Sequence, residues 1–202
     1  MTLKDVLSRK NFKKCVNFHG HLCPGLSMGY RAATAGLDWL REKRAEDEEL
    51  VAIVETDACG TDAVQVVTGC TFGKGNFICK DYGKTAFTFL SRGTGEGVRL
   101  SMKKGAFNLS ERHGELLGKV MANSATDSER TEFRKIHIQR SHDILSMPLE
   151  DLFSVKPVHV TMPEKAKIEP SKPCAICGEP TMGSKLERVD GRHVCRGCVE
   201  EK

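Results

Sequence analysis

Cys174-Ala175-Ile176-Cys177 and Cys195-Arg196-Gly197-Cys198 leave the end of this chain little choice of fold. The two pairs enclose seventeen residues, inside the Cys-x2-Cys…Cys-x2-Cys spacing of structural metal sites. Each pair brings two sulfurs to one side of a tight turn, with Gly178 and Gly197 easing the backbone. Four thiolates complete a closed tetrahedron with no open position for chemistry. A segment of about thirty residues is too small to hold a core alone, so metal binding must supply its folding energy. Between the pairs, Leu186–Val189 and Gly191–Val194 read as a hairpin. The expectation is a treble-clef or ribbon-type zinc finger over 174–202. A rubredoxin-like iron centre and a redox dithiol share the spacing. His193 is a spare imidazole that reads as solvent-facing.

Pro163 to Pro173 carries three prolines among charges and reads as a linker. Residues 1–162 then form a separate domain. With 39% hydrophobic residues in 202, the chain can build a real core. No run of about eighteen apolar residues calls for a membrane span. Met1–Asp5 lacks the apolar stretch of a secretory signal, so a cytoplasmic location is expected. There, nine cysteines point to metal or redox chemistry rather than to disulfides. A net charge of +4 permits nucleic-acid contact without calling for it.

Phe18-His19-Gly20-His21-Leu22-Cys23-Pro24-Gly25 is the second constraint. Pro24 suits the first position of a helix, which places Cys23 at the helix N-terminus, where partial positive charge favours a thiolate. His19 and His21 are the right donors to share an ion with that sulfur. The plain alternative is a glycine-rich turn with incidental histidines. Cys59 repeats the placement of Cys23, after the buried strand Leu50–Glu55 and before a short helix; a buried filler cysteine is the plain alternative. Gly69–Asn76 is a tight loop without a P-loop pattern. A helix over 2–14 opens on a Thr2/Asp5 capping pair. A longer helix over 25–46 ends in a solvated charge run. Strands follow at 77–79, 84–90 and 98–102, with Cys79 in the core. Helices at 111–122 and 128–146 carry His137 and His142 as ordinary residues, and Pro157 limits its extended segment to a sheet edge or a non-strand.

Together these segments resemble the family of the formylmethanofuran dehydrogenase E-subunit. The resemblance rests on residues 18–25, on Cys59 with Asp62-Ala63, and on Thr68–Asn76, and it spans most of 10–160. It implies an α+β core, a thioredoxin-like mixed sheet flanked by helices. It further implies a metal-binding active site near His19, His21, Cys23 and Cys59, and a homodimer. Longer family members carry a C-terminal zinc finger similar to the one here. The family takes its name from a gene beside a molybdenum oxidoreductase of one-carbon metabolism, whose subunits become candidate partners. The N-terminal domain has no Cys-x-x-Cys, so a thioredoxin-like shape does not imply thioredoxin activity.

The leading expectation is a metalloprotein acting in, or accessory to, anaerobic one-carbon or redox metabolism, with enzyme and accessory roles both open. A second zinc or another transition metal would sit in the N-terminal domain. Cys59 would be a ligand or an activated thiol, Cys70 and Lys74 would line the pocket, and Asp62 would orient an imidazole. The alternative is a non-catalytic module whose finger docks on a protein or nucleic acid. The finger has no aromatic residue for base stacking, which argues against nucleic acid. An iron–sulfur or redox centre on the N-terminal cysteines is a third option.

Overall fold

The computed structural model describes residues 2–200, which divide into compact units at Lys165/Ala166. In the first unit, helices α1 (Leu3–Ser8), α2 (Lys10–His19) and α3 (Pro24–Leu40) precede strand β1 (Leu50–Val54) and helix α4 (Gly60–Thr68). Strands β2 (Phe77–Cys79), β3 (Ala86–Ser91) and β4 (Gly97–Met102) follow. Helices α5 (Glu111–Met121), α6 (Asp127–Ser146) and α7 (Leu149–Leu152) and strand β5 (Phe153–Pro157) complete it. One mixed sheet runs in the order β2-β1-β3-β4-β5. Only β1 and β2 are parallel; the other neighbours are antiparallel. This is the α+β, thioredoxin-like outline, a mixed sheet flanked by helices.

The apolar run of β1 explains its interior place in the sheet. β3 reads as alternating, yet all six of its residues are buried, because the sheet is covered on both faces. Gly36 lets α3 lie directly on β3: a Cβ there would come within 2.2 Å of the Phe89 ring. Gly29 does the same between helices, since its Cβ would lie 2.0 Å from the Gly60 carbonyl oxygen. This close approach brings the N-terminal ends of α3 and α4 together, and the site is built there.

Several boundaries differ from the sequence reading. The first helix breaks at Arg9, whose backbone is extended, although Thr2 and Asp5 do form the capping box. α3 stops at Leu40 because Arg41 turns left-handed (φ 55°). The charge run beyond it is not a helix end. It folds back so that Ala45 is buried, and its N–H donates to Thr68 O at 2.8 Å. Cys79, expected in the core, is exposed at the end of edge strand β2. Pro157 closes edge strand β5. The stretch read as linker is itself divided. Arg92 Nη1 donates to Pro163 O at 2.7 Å in the first unit, and Ser171–Pro173 is a strand of the second.

In the second unit, β6 (Ser171–Pro173) pairs with β7 (Pro180–Met182) and β8 (Leu186–Val189) with β9 (Arg192–Cys195); α8 (Arg196–Glu200) follows. The β8–β9 turn needs two left-handed residues, Asp190 at φ 49° and Gly191 at φ 78°. Among the described residues, no helix is long and apolar enough to cross a membrane.

Candidate metal centres

His19 closes α2, and the left-handed Gly20 (φ 91°) turns the chain at once toward His21 and Cys23. Asp62, in the first turn of α4, meets His19 Nδ1 with its Oδ2 at 2.7 Å. That bond assigns the proton to Nδ1 and leaves Nε2 with a lone pair, 3.7 Å from Cys23 Sγ. The His21 ring lies 4.6 Å from the His19 ring, centroid to centroid. One donor atom from each of His19, His21 and Cys23 falls within 4.8 Å of the others.

Cys23 caps α3, and the Leu26 N–H donates to its sulfur at 3.3 Å. The sequence reading expects this position to lower the thiol pKa, and the structure corrects it. Burial dominates and pushes the thiol up to about 11, with Cys59 beside it adding to the rise against the Leu26 N–H. Alone, this thiol stays protonated at neutral pH. A cation supplies the missing counter-charge, which is how a buried thiol becomes a ligand. The chemistry of the donor set therefore fits a transition metal ion: two imidazoles, one fixed in tautomer by a carboxylate, and one buried sulfur.

In the second unit, one sulfur from each of Cys174, Cys177, Cys195 and Cys198 lies within 4.8 Å of the rest. Cys174 Sγ accepts from the N–H groups of Cys195 (3.3 Å) and Ile176 (3.4 Å), and these backbone donors bring it down to about 6. Cys198 moves the other way, up to about 12, first through its hydrogen bond with Cys195. Four sulfurs this close cannot all ionise without a cation among them, so the group is a fitting metal site. His193 is exposed.

A family model described as FmdE, molybdenum formylmethanofuran dehydrogenase operon, matches residues 18–154. The chain belongs to the FmdE family. A protein of Archaeoglobus fulgidus named "probable S-adenosyl-L-methionine-binding protein" is 32% identical over 191 residues, covering 90% of this chain and 50% of that protein. This FmdE-family chain thus spans about half the length of that curated relative. A solved FmdE-like protein of the tungsten formylmethanofuran dehydrogenase type, from Syntrophus aciditrophicus, superposes with a TM-score of 0.61. The match covers 100% of this chain and 98% of that protein at 24% identity, a likeness of fold.

The remaining expected residues of this FmdE-family protein are divided by α4. Cys59 sits at its N-terminal end, close to Cys23 and Gly25 but outside the three-donor group. Cys70 follows its C-terminal end, about 12 Å along a nine-residue helix. Cys70 is fully buried, and burial raises its pKa. Lys74 Nζ donates to the carbonyls of Glu46 and Asp47, each at 3.1 Å. Cys70 and Lys74 therefore do not join the cluster; the loop after Gly69 braces the 45–49 segment instead.

His137, read as an ordinary helix residue, is not one. Its Nδ1 lies 3.1 Å from Nε2 of the buried His113, its ring stacks on Phe133 at 4.8 Å, and it feels the charge of His21. Burial holds both His113 and His137 below the usual imidazole range. The pair is twenty-four residues apart, and no spacing rule reveals it. A cavity of about 110 Å³ opens beside Cys23 and Cys59, lined by residues that include Pro24, Gly25, Ala58 and Gly60.

Proposed function

We propose that this FmdE-family protein is a metalloprotein with two sites of different purpose. The N-terminal unit would hold one transition metal ion, zinc or another, on His19, His21 and Cys23, with Cys59 as a further ligand or a neighbouring thiol. The C-terminal unit would hold a structural zinc on its four cysteines. The observation that carries the reading is the Asp62–His19 contact at 2.7 Å, which aims Nε2 at the Cys23 side. Three protein donors leave a coordination position open, whereas four cysteines close theirs.

A bound ion would supply Lewis acidity and lower the pKa of a ligand water. Asp62 holds the proton on His19 Nδ1, and Leu26 N–H shares the negative charge of the Cys23 sulfur. Family membership supports a metal-dependent or accessory role in anaerobic one-carbon or redox metabolism, in the cytoplasm, as a homodimer or beside oxidoreductase subunits. The Archaeoglobus relative's name raises S-adenosylmethionine as a ligand. The 110 Å³ cavity is well below the roughly 300 Å³ at which sites for drug-sized ligands begin, so the reading does not extend to that molecule here.

Metal content of the full chain after anaerobic purification tests the proposal. Two ions per chain are expected, one lost in Cys23→Ser and the other in Cys174→Ser. Retention of both ions in Cys23→Ser, or one ion in the parent chain, would remove the N-terminal site.

A further inference from the structure

The cavity beside Cys23 and Cys59 has a chemistry of its own. Its floor is Met28 on α3, Phe87 on β3 and Gly60 on α4; Met102 and Phe107 form a side wall, and the exposed Ala58 marks its mouth. Thr56 and Thr85 bring the only hydroxyls among its lining residues, and no charged side chain lines it. The Thr56 hydroxyl already accepts from the Ala58 N–H at 3.2 Å. The helix end next to it is not an anion site either: Pro24 has no N–H, and the Leu26 N–H is given to Cys23. An ion entering here would lose its hydration without a partner.

Close-packed interiors contain few voids larger than a water molecule, and an apolar void costs stability in proportion to its volume. An apolar cavity on the order of 150 Å³ takes up benzene. At about 110 Å³, this one admits a group of that size or slightly smaller. Two methionines in the wall supply adaptable, polarizable contact with aromatic or aliphatic ligands.

We propose that this cavity is a binding site for a neutral ligand whose buried part is an apolar group no larger than about a benzene ring. Pro24 and Gly25 follow Cys23 directly, and Ala58 and Gly60 bracket Cys59, so the occupant lies against the two thiol-bearing helix starts. The site stands on the cavity and its lining and does not depend on an ion being bound.

Methionine-methyl NMR on the full chain tests it, since Met28 and Met102 are two of seven methionines and both line the cavity. Benzene should shift these two methyl signals saturably and leave the others in place. Benzoate and S-adenosylmethionine should move neither. Ala58→Phe, which fills the mouth from an exposed position, should abolish the benzene response while the remaining methyl signals stay put. Immobile Met28 and Met102 signals up to the solubility of benzene would overturn the proposal. So would an equal response to benzoate, or an unchanged response in Ala58→Phe. Should Ala58→Phe misfold, xenon on the parent chain decides in its place: selective shifts at the same two methyls support the site, and none overturns it. Repeating the titration after metal removal separates this inference from the metal reading, because the benzene response should persist whatever the metal count.

Discussion

The two units are held together by different means. The first buries Tyr30, Phe87, Phe89, Phe153 and a full set of aliphatic residues around one sheet. In the second, among the described residues, only Cys174 and Val194 are buried. Hydrophobic burial at about 25 cal/mol per Å² can stabilise the first, and it has almost nothing to act on in the second. Metal donors accordingly mean different things in the two places. In the second unit they replace a core. In the first they are added to a core that already exists, and they are free to serve chemistry.

Removing metal should give the largest contrast between the units. Structural zinc contributes on the order of 10 kcal/mol or more to folding in finger-sized domains. A chelator at neutral pH should therefore collapse the amide NMR dispersion of 174–200 while the signals of 2–165 persist. A finger that stays dispersed without metal would break the comparison.

Gly29→Ala should act on the opposite side. Its new methyl would meet the Gly60 carbonyl oxygen at 2.0 Å, backbone against backbone, so α3 and α4 must move apart. A loss of about 3 kcal/mol is expected by thermal or urea unfolding of the first unit, with metal retention by the four cysteines unchanged. Loss of finger metal in this variant would show that the two units are not energetically separate.

Arg99→Ala should cost somewhat less. The Arg99 guanidinium meets Glu55 at 2.6 and 2.7 Å and holds its carboxyl below the usual carboxylate range. Arg99 is about one-third exposed (32%), so the loss should fall near the low end of about 1.5–3 kcal/mol. A depressed carboxylate stabilises the fold above its unfolded pKa, and that stability disappears as pH falls through the folded value. The gap between parent and variant should therefore narrow between pH 6 and pH 3. A gap independent of pH would assign the loss to packing.

The smallest effect belongs to the histidine pair. His113 and His137 titrate below the ordinary 6.5 because they are buried, so the unfolded chain takes up protons first. Stability of the first unit should fall as pH drops below 6.5, by at most about 1.4 kcal/mol per pH unit for each group. His113→Phe should flatten that slope in urea melts at pH 5.5 and 7.5.

Much of the architecture is legible in the sequence because it depends on near neighbours. The capping box of Thr2 and Asp5, the buried run of β1 and the hairpin between the cysteine pairs each follow from a few adjacent residues. The end of α3 is not legible, because Arg41-Glu42-Lys43-Arg44 has good helix propensity. The contacts that bury Ala45 and tie Lys74 to Glu46 and Asp47 outweigh it. Cys79 reads as core because its neighbours Phe77 and Ile78 are apolar, yet a strand at the sheet edge leaves its last residue outside.

By itself, the sequence determined which donors lie close together. His19, His21 and Cys23 span five positions, and Cys-x2-Cys turns bring paired sulfurs to one side whatever the rest of the chain does. Only the tertiary structure decided what surrounds them. Asp62 reaches His19 across forty-three residues, His137 reaches His113 across twenty-four, and α4 keeps Cys70 and Lys74 at the far end from Cys59. Burial, rather than the helix end, decided the protonation of Cys23. Local spacing fixes distances over a few residues because the chain is short there. Solvent exclusion and long-range partners depend on how helices and sheet pack, and packing is a property of the whole unit.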